Sequence, residues 1–224
     1  SPEILIGDMN KLRTLSQEPD KPYFMLGHSM GSYLLRRYLS VYGGGLSGAV
    51  IMGTGANPDA VAKLGMAVCK AIAAFKGWKY RSPFMEKLFF SGDFQKFDMD
   101  GTHPENSWLT KDTEIVRFYY SEPRCTFKFT LKAYYDFLKT VYYVNRKENV
   151  EKIPKDLPIL MVAGDCDPVG EFGKAVKRVY EMYKAAGIND VTLKLYENDR
   201  HEILNETDKE RVFDDISNWC ESRQ

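Results

Sequence analysis

The chain carries no excess of either charge, with 31 Lys plus Arg against 31 Asp plus Glu. No net field therefore draws it to nucleic acid or to an anionic membrane. It has no apolar run approaching the roughly 18 to 20 residues needed to cross a bilayer. Cysteine is sparse: Cys69, Cys125, Cys166 and Cys220 are scattered, with no Cys-x-x-C pair and no histidine at metal-ligand spacing. That excludes a zinc module, and the four are read as reduced thiols of a cytoplasmic protein. No charged-apolar-small leader opens the chain, so nothing points to secretion. Phosphate-cradling glycine loops, internal repeats and low-complexity tracts are also absent, and no cofactor is expected. What remains is a globular composition, 44% hydrophobic and 13% aromatic in 224 residues.

Strand and helix patterns alternate along this chain. Ile4, Leu5, Met9, Leu12 and Leu15 stand at helix-compatible spacing and Pro19 and Pro22 close that segment. Tyr23–Leu26 is short and wholly apolar, as in a parallel strand buried on both faces. From Gly31 the period becomes helical: Leu34, Leu35, Tyr38, Leu39 and Tyr42 form one stripe, Arg36, Arg37 and Ser40 lie opposite, and Gly43-Gly44-Gly45 ends the helix. Ala49–Met52 and Pro158–Ala163 read as further buried strands. A helix through Phe172, Val176, Val179, Tyr180 and Tyr183 follows, with a basic, solvated face of Lys174, Lys177, Arg178 and Lys184. Val191–Leu195 is a strand, and Val212 to Trp219 a last helix with a capping box of Thr207 and Glu210. The expected architecture is α/β, a mostly parallel sheet flanked by helices. Residues 1–55 and 151–224 form its core, and 56–150 an inserted helical cap rich in aromatic side chains, which read as packing or as the lining of an acyl-chain pocket.

Gly27-His28-Ser29-Met30-Gly31 stands where a strand ends and a helix begins. In that position a G-x-S-x-G turn is tight enough that bulky flanking residues clash, hence the glycines two before and two after the serine. The turn lifts Ser29 Oγ above the sheet and aims the Met30 backbone N–H at a developing oxyanion. A serine hydroxyl needs an adjacent base oriented by a carboxylate, and the chain has three histidines. His28 lies inside the turn and reads as a packing and hydrogen-bonding residue, and His103 as a surface residue of the cap. His201 follows the last strand, where the order serine, acid, histidine puts the base. Gly164-Asp165-Cys166-Asp167-Pro168 offers two carboxylates at a strand's C-terminal end. Asp167 is the candidate acid, with Asp165 a tie for the loop backbone and Asp199 structural. Cys166 has no histidine paired with it in sequence.

Together, Gly-His-Ser-Met-Gly at 27–31, Gly-Asp-x-Asp-Pro-Val-Gly at 164–170, Arg-His-Glu-Ile-Leu-Asn-Glu at 200–206 and Ser-Trp-Leu-Thr at 107–110 resemble the lysophospholipase and monoacylglycerol-lipase group of α/β-hydrolases. The resemblance implies a cofactor-free serine esterase of single-chain glycerolipids or similar esters, with Ser29, Asp167 and His201 as triad. No metal, no nucleic-acid partner and no membrane span are expected, while transient contact with a membrane surface is allowed. Members of the group ordinarily have several strands before the nucleophile, including a His-Gly loop that supplies the second oxyanion donor. That donor is missing from this chain, so the chain is expected to be a fragment of low activity with an exposed sheet edge that favours association of copies. The same triad would equally serve an acyltransferase, thioesterase or peptidase, and the competing reading from another class is a non-catalytic α/β-hydrolase-like binding module.

Overall fold

The computed structural model describes residues 1–223. Four strands, β1 (Phe24–His28), β2 (Gly48–Met52), β3 (Ile159–Gly164) and β4 (Val191–Tyr196), form one sheet in the order β1-β2-β3-β4. Every pairing is parallel, with Leu26 opposite Val50, Val50 opposite Leu160 and Leu160 opposite Thr192. All five residues of β2 and all six of β3 are buried. Alternate side chains of these strands serve opposite layers. Ala49, Ile51, Ile159, Met161 and Ala163 meet one core, whereas Val50, Met52, Leu160 and Val162 meet the other. Apolar runs without alternation are the signature of that two-sided burial, and each buried Val, Leu, Ile or Met side chain among them contributes about 1.5 to 3 kcal/mol by leaving water. The apolar run Tyr23–Leu26 is not buried on both faces as its composition suggests: β1 is the edge strand, so Phe24 and Met25 are half-buried and Leu26 is exposed.

Helices α1 (Pro2–Ser16), α2 (Met30–Tyr42) and α8 (Lys174–Ala185) cover the first face, through Ile6, Leu35, Tyr38, Leu39, Val176, Val179 and Tyr183. Helix α9 (Glu210–Glu221) covers the second with Val212 and Trp219. Between β2 and β3 come α3 (Asp59–Lys76), α4 (Pro83–Phe89), α5 (Thr113–Ser121), α6 (Leu131–Val144) and the short α7 (Lys147–Val150). Cys69 and Ala73 of α3, Met85 of α4 and Leu131, Tyr134 and Leu138 of α6 enclose a cluster separate from the sheet. Among the described residues no helix is long and apolar enough to cross a membrane.

Four further details differ from the sequence pattern. Helix α1 does not bury the stripe of Ile4, Leu5, Leu12 and Leu15, which are exposed. It turns Pro2, Ile6 and Arg13 inward, because the Arg13 guanidinium donates to the carbonyls of Tyr42 and Gly44 at the end of α2 (3.1 and 3.0 Å). Phe172 precedes α8 instead of joining it. Glu171, Phe172 and Gly173 all have positive φ (50°, 55° and 82°), so helical geometry starts only at Lys174. The capping box of Thr207 and Glu210 does not form: the N-cap of α9 is Lys209, without a side-chain cap bond. The approach is a turn closed by Lys209 N–H to the Glu206 carbonyl, 3.3 Å. Finally, the polar side of α2 is not solvated, since Arg36, Arg37 and Ser40 are buried as α6 packs over them.

Arg36 fits there because both terminal nitrogens of its guanidinium donate to neutral acceptors, Thr54 Oγ1 at 3.1 Å, the Gly55 carbonyl at 2.8 Å, the Val144 carbonyl at 3.3 Å and Asn145 Oδ1 at 2.9 Å, leaving only Nε without a partner. It thereby ties the chain leaving β2 to the chain leaving α6. Hydrogen bonds to charged groups contribute about 1.5 to 3 kcal/mol each, set against the cost of desolvating the cation. Arg36→Ala is expected to lower the unfolding free energy by on the order of 3 kcal/mol in urea titration, with little recovery in Arg36→Lys, whose ammonium cannot span four acceptors in a plane.

Candidate active site

Ser29 occupies the turn between β1 and α2 with φ 53° and ψ −123°, a strained conformation for a residue with a side chain. Backbone bonds hold it: Ser29 N–H donates to the Met52 carbonyl at the end of β2 (3.0 Å), and the Ser32 N–H and hydroxyl donate to the Ser29 carbonyl (2.9 and 2.6 Å). A Cβ on Gly27 would meet the Gly31 carbonyl oxygen at 2.5 Å and Leu35 Cβ at 2.9 Å, so helix and strand approach too closely for any other residue. At Gly31, by contrast, a Cβ would meet nothing within 4 Å, so the steric demand expected on both sides of the serine falls on Gly27 alone. Met30 is the first residue of α2, and its N–H lies outside the helix's own ladder.

Asp167, in the loop after β3, and His201, in the loop after β4, are both buried and meet through Oδ2 and Nδ1 at 2.9 Å. The other carboxylate oxygen of Asp167 accepts from Val169 N–H at 2.8 Å, which fixes its rotation. Burial alone would lower the imidazole's pKa, but the Asp167 charge and hydrogen bond outweigh it and hold His201 above the ordinary histidine value. His201 Nε2 is buried with no hydrogen-bond partner, and the Ser29 hydroxyl does not donate to it. The two loops abut: a Cβ on Gly164 would collide with the backbone carbonyls of Asp199 and Arg200.

The remaining candidates take other places. The His28 Nε2 proton is donated to the His201 carbonyl (3.1 Å), and the two rings lie 4.7 Å apart. His103 is exposed beside Glu105. Asp165 accepts from Asn198 N–H at 2.8 Å and so ties the loop after β3 to the loop after β4. Asp199 is buried against Lys111 (2.7 Å) and Arg211 (3.0 Å). Burial, and then Asp165, push the Cys166 thiol up, away from the nucleophilic thiolate. Among the described residues no group of three or more His, Cys, Asp or Glu is placed to hold a metal ion.

Sequence reasoning did not foresee how residues 105–111 are strapped to the histidine loop. His201 N–H donates to the Trp108 carbonyl (3.3 Å) and Glu202 N–H to the Leu109 carbonyl (2.7 Å). The Arg200 guanidinium donates to the carbonyls of Ser107, Thr110 and Glu105. The buried Glu206 carboxylate accepts from Thr110 Oγ1 (2.9 Å), Lys111 N–H (2.9 Å) and Arg200 N–H (2.8 Å). The Trp108 ring lies 5.0 Å from the imidazole at 31°. The available signal was the pairing of Ser-Trp-Leu-Thr with Arg-His-Glu, two motifs some ninety residues apart whose contact no local pattern reveals.

Comparison with known proteins agrees with this architecture. The family described as serine aminopeptidase, S33 matches residues 2–208. The monoacylglycerol lipase of Mycolicibacterium smegmatis is 26% identical over 211 residues, which are 92% of this chain, and the chain spans 65% of that relative's length. A thermostable carboxyl esterase from Bacillus coagulans, solved with glycerol, superposes with a TM-score of 0.86 at 30% identity, covering 97% of this chain and 71% of the esterase. Monoglyceride lipase from Saccharomyces cerevisiae shares the fold, with a TM-score of 0.73 at 21% identity over 99% of this chain and 68% of its own. The strand order, the serine turn at the end of β1 and the extent of the family match lead to one conclusion: the chain belongs to the serine aminopeptidase S33 family of α/β-hydrolases.

Proposed function

We propose that this chain carries the catalytic centre of a serine hydrolase of carboxylic esters, with Ser29 as nucleophile, His201 as general base and Asp167 as the group that orients it. The observation that carries the reading is the buried bond between Asp167 Oδ2 and His201 Nδ1, beside a serine in the strained turn after β1. With Nδ1–H donated to the carboxylate, Nε2 is the free lone pair. In the proposed reaction Ser29 Oγ attacks the ester carbonyl while its proton passes to Nε2. The oxyanion is met by Met30 N–H, and collapse expels the alcohol, which takes the proton from Nε2. Water, deprotonated by the same nitrogen, then releases the acid and restores the serine. Catalytic hydrogen bonds are often long before substrate binds and tighten in the complex, which accommodates the unengaged hydroxyl of Ser29. The sequence contains no His-Gly dipeptide to supply the second oxyanion donor expected from the resemblance.

The carboxyl esterase at 30% identity and the monoacylglycerol lipase at 26% support esters of a single acyl chain, such as monoacylglycerols or lysophospholipids, over peptides. Residues 56–150 are proposed as the cap that selects among them. A panel of p-nitrophenyl esters of rising chain length, a monoacylglycerol, a thioester and an aminoacyl anilide separates the readings. The esters and the monoacylglycerol are expected to turn over at least about tenfold faster than the anilide, since one poorly fitted group changes kcat/KM by that order. Preference for the anilide would replace the esterase reading with a peptidase one.

A further inference from the structure

The zero net charge of the chain conceals an uneven distribution. Eight consecutive residues, Ala74–Arg81, are exposed over the last turn of α3 and the loop that leads to α4, and they read Ala-Phe-Lys-Gly-Trp-Lys-Tyr-Arg. Aromatic rings and cations alternate through them. Helix α4 continues the pattern on its outer side, where Phe84, Lys87 and Leu88 are exposed at i, i+3 and i+4. Phe127 and Lys128 add to it, since Arg81 Nε donates to the Lys128 carbonyl (3.1 Å). From 74 to 88 there are four cations and one acid, and that acid, Glu86, is paired with Lys128 at 3.0 Å. Among the described residues no carboxylate pairs with Lys76, Lys79, Arg81 or Lys87.

The exposure does not come from a loose loop. Leu131 N–H donates to the Tyr80 carbonyl (2.9 Å) and Lys132 N–H to the Trp78 carbonyl (3.1 Å). Ser82 caps α4 by accepting from Met85 N–H at 3.3 Å, and both of those side chains are buried. Backbone and anchors are thus fixed while Phe75 stays 88% exposed and Phe84 61%. Exposed rings on a fixed backbone, with Trp78 edge-on to Tyr135 at 5.3 Å, among cations without a carboxylate partner suit a partner that is negative at its surface and deformable and apolar just beneath. A lipid leaflet meets both conditions, with aromatic rings at the headgroup level and Lys and Arg over anionic headgroups. A folded acidic protein would need a groove for each ring. From the inner end of α4 a run of ring contacts leads to the candidate base, Phe89–Phe90–Phe94–Trp108–His201, with centroids 5.0 to 6.2 Å apart.

We infer that the last turn of α3, the α3–α4 loop and the outer side of α4 form a docking surface for membranes bearing anionic lipid headgroups. The choice of lipid as occupant rests in part on the ester-lipid reading, but the binding does not require catalysis. The test is sedimentation of the protein with vesicles of phosphatidylcholine alone or with phosphatidylglycerol added, at low and at 0.5 M salt. Binding to the anionic vesicles only, weakened by salt, is expected. Lys76→Glu/Lys79→Glu/Arg81→Glu should weaken it at least about tenfold, since each cation near such a surface is worth about fivefold. Phe75→Ala/Phe84→Ala should weaken it with every charge retained. Trp78 is 39% exposed, whereas Trp108 and Trp219 are 9% and 8%, so a blue shift of fluorescence on binding that is lost in Trp78→Phe would locate the contact. Equal binding to both vesicle types, unaltered binding by the charge-reversed variant, or binding to polyglutamate without binding to vesicles would each overturn the inference. Hydrolysis of p-nitrophenyl acetate by every variant, measured alongside, reports on the esterase reading alone.

Discussion

Ser29→Ala is expected to abolish fluorophosphonate labelling and to reduce ester hydrolysis by about 10⁶-fold, the order found where a nucleophile is removed from a serine–histidine–acid set. The turn makes this the most discriminating substitution. Ser29 keeps its strained φ of 53° through backbone bonds to Met52 and from Ser32, none of which uses its own hydroxyl. Alanine removes the reacting oxygen and leaves those bonds in place, so the melting temperature should change little while activity disappears. Equal labelling of the wild type and the variant would remove the hydrolase reading, and absence of labelling in the wild type would favour a binding module built on the same fold.

The second large effect belongs to Asp167→Asn, expected to lower kcat by about 10⁴-fold by favouring the wrong histidine tautomer. A pH profile adds a test that loss of fold cannot imitate. His201 must be neutral at Nε2 to take the serine proton, so kcat/KM falls as pH drops through the His201 pKa. Burial lowers that pKa and Asp167 raises it, with Asp167 prevailing. The acidic limb of the wild type should therefore lie above the ordinary histidine value. In the variant the influences from Asp167 go and the burial stays, so the limb should move to lower pH. A limb that stays in place would show that Asp167 does not govern the base.

The sheet was legible wherever burial leaves an unmixed mark. Ala49–Met52 and Pro158–Ala163 are apolar throughout because both their faces are covered, and the serine turn announces itself by a glycine that nothing else can replace. What sequence could not show are arrangements set by partners distant along the chain. Arg36 and Arg37 look like a solvent face at helical spacing, yet partners distant along the chain bury them, Gly55 and Val144 around Arg36 and Glu3 and Tyr143 around Arg37. Ile4, Leu12 and Leu15 look like a core stripe, yet α1 faces inward with Ile6, packed in the core, and Arg13, bonded to the end of α2. Asp167 and His201 could be placed at the ends of their strands. Their mutual bond, and the contacts of Trp108 with residue 201, are matters of loop geometry that no periodicity encodes.

The bonds that join residues 105–111 to the loop after β4 split the inserted segment into unequal mechanical parts. Shifting Trp108 or Leu109 would pull residues 201 and 202 with it and draw the imidazole off Asp167. That side must hold still while a reaction is under way. On the other flank α3, α4 and α6 pack around a core of their own, Cys69, Met85 and Leu138, so a substitution there reaches residue 201 through packing rather than through backbone hydrogen bonds.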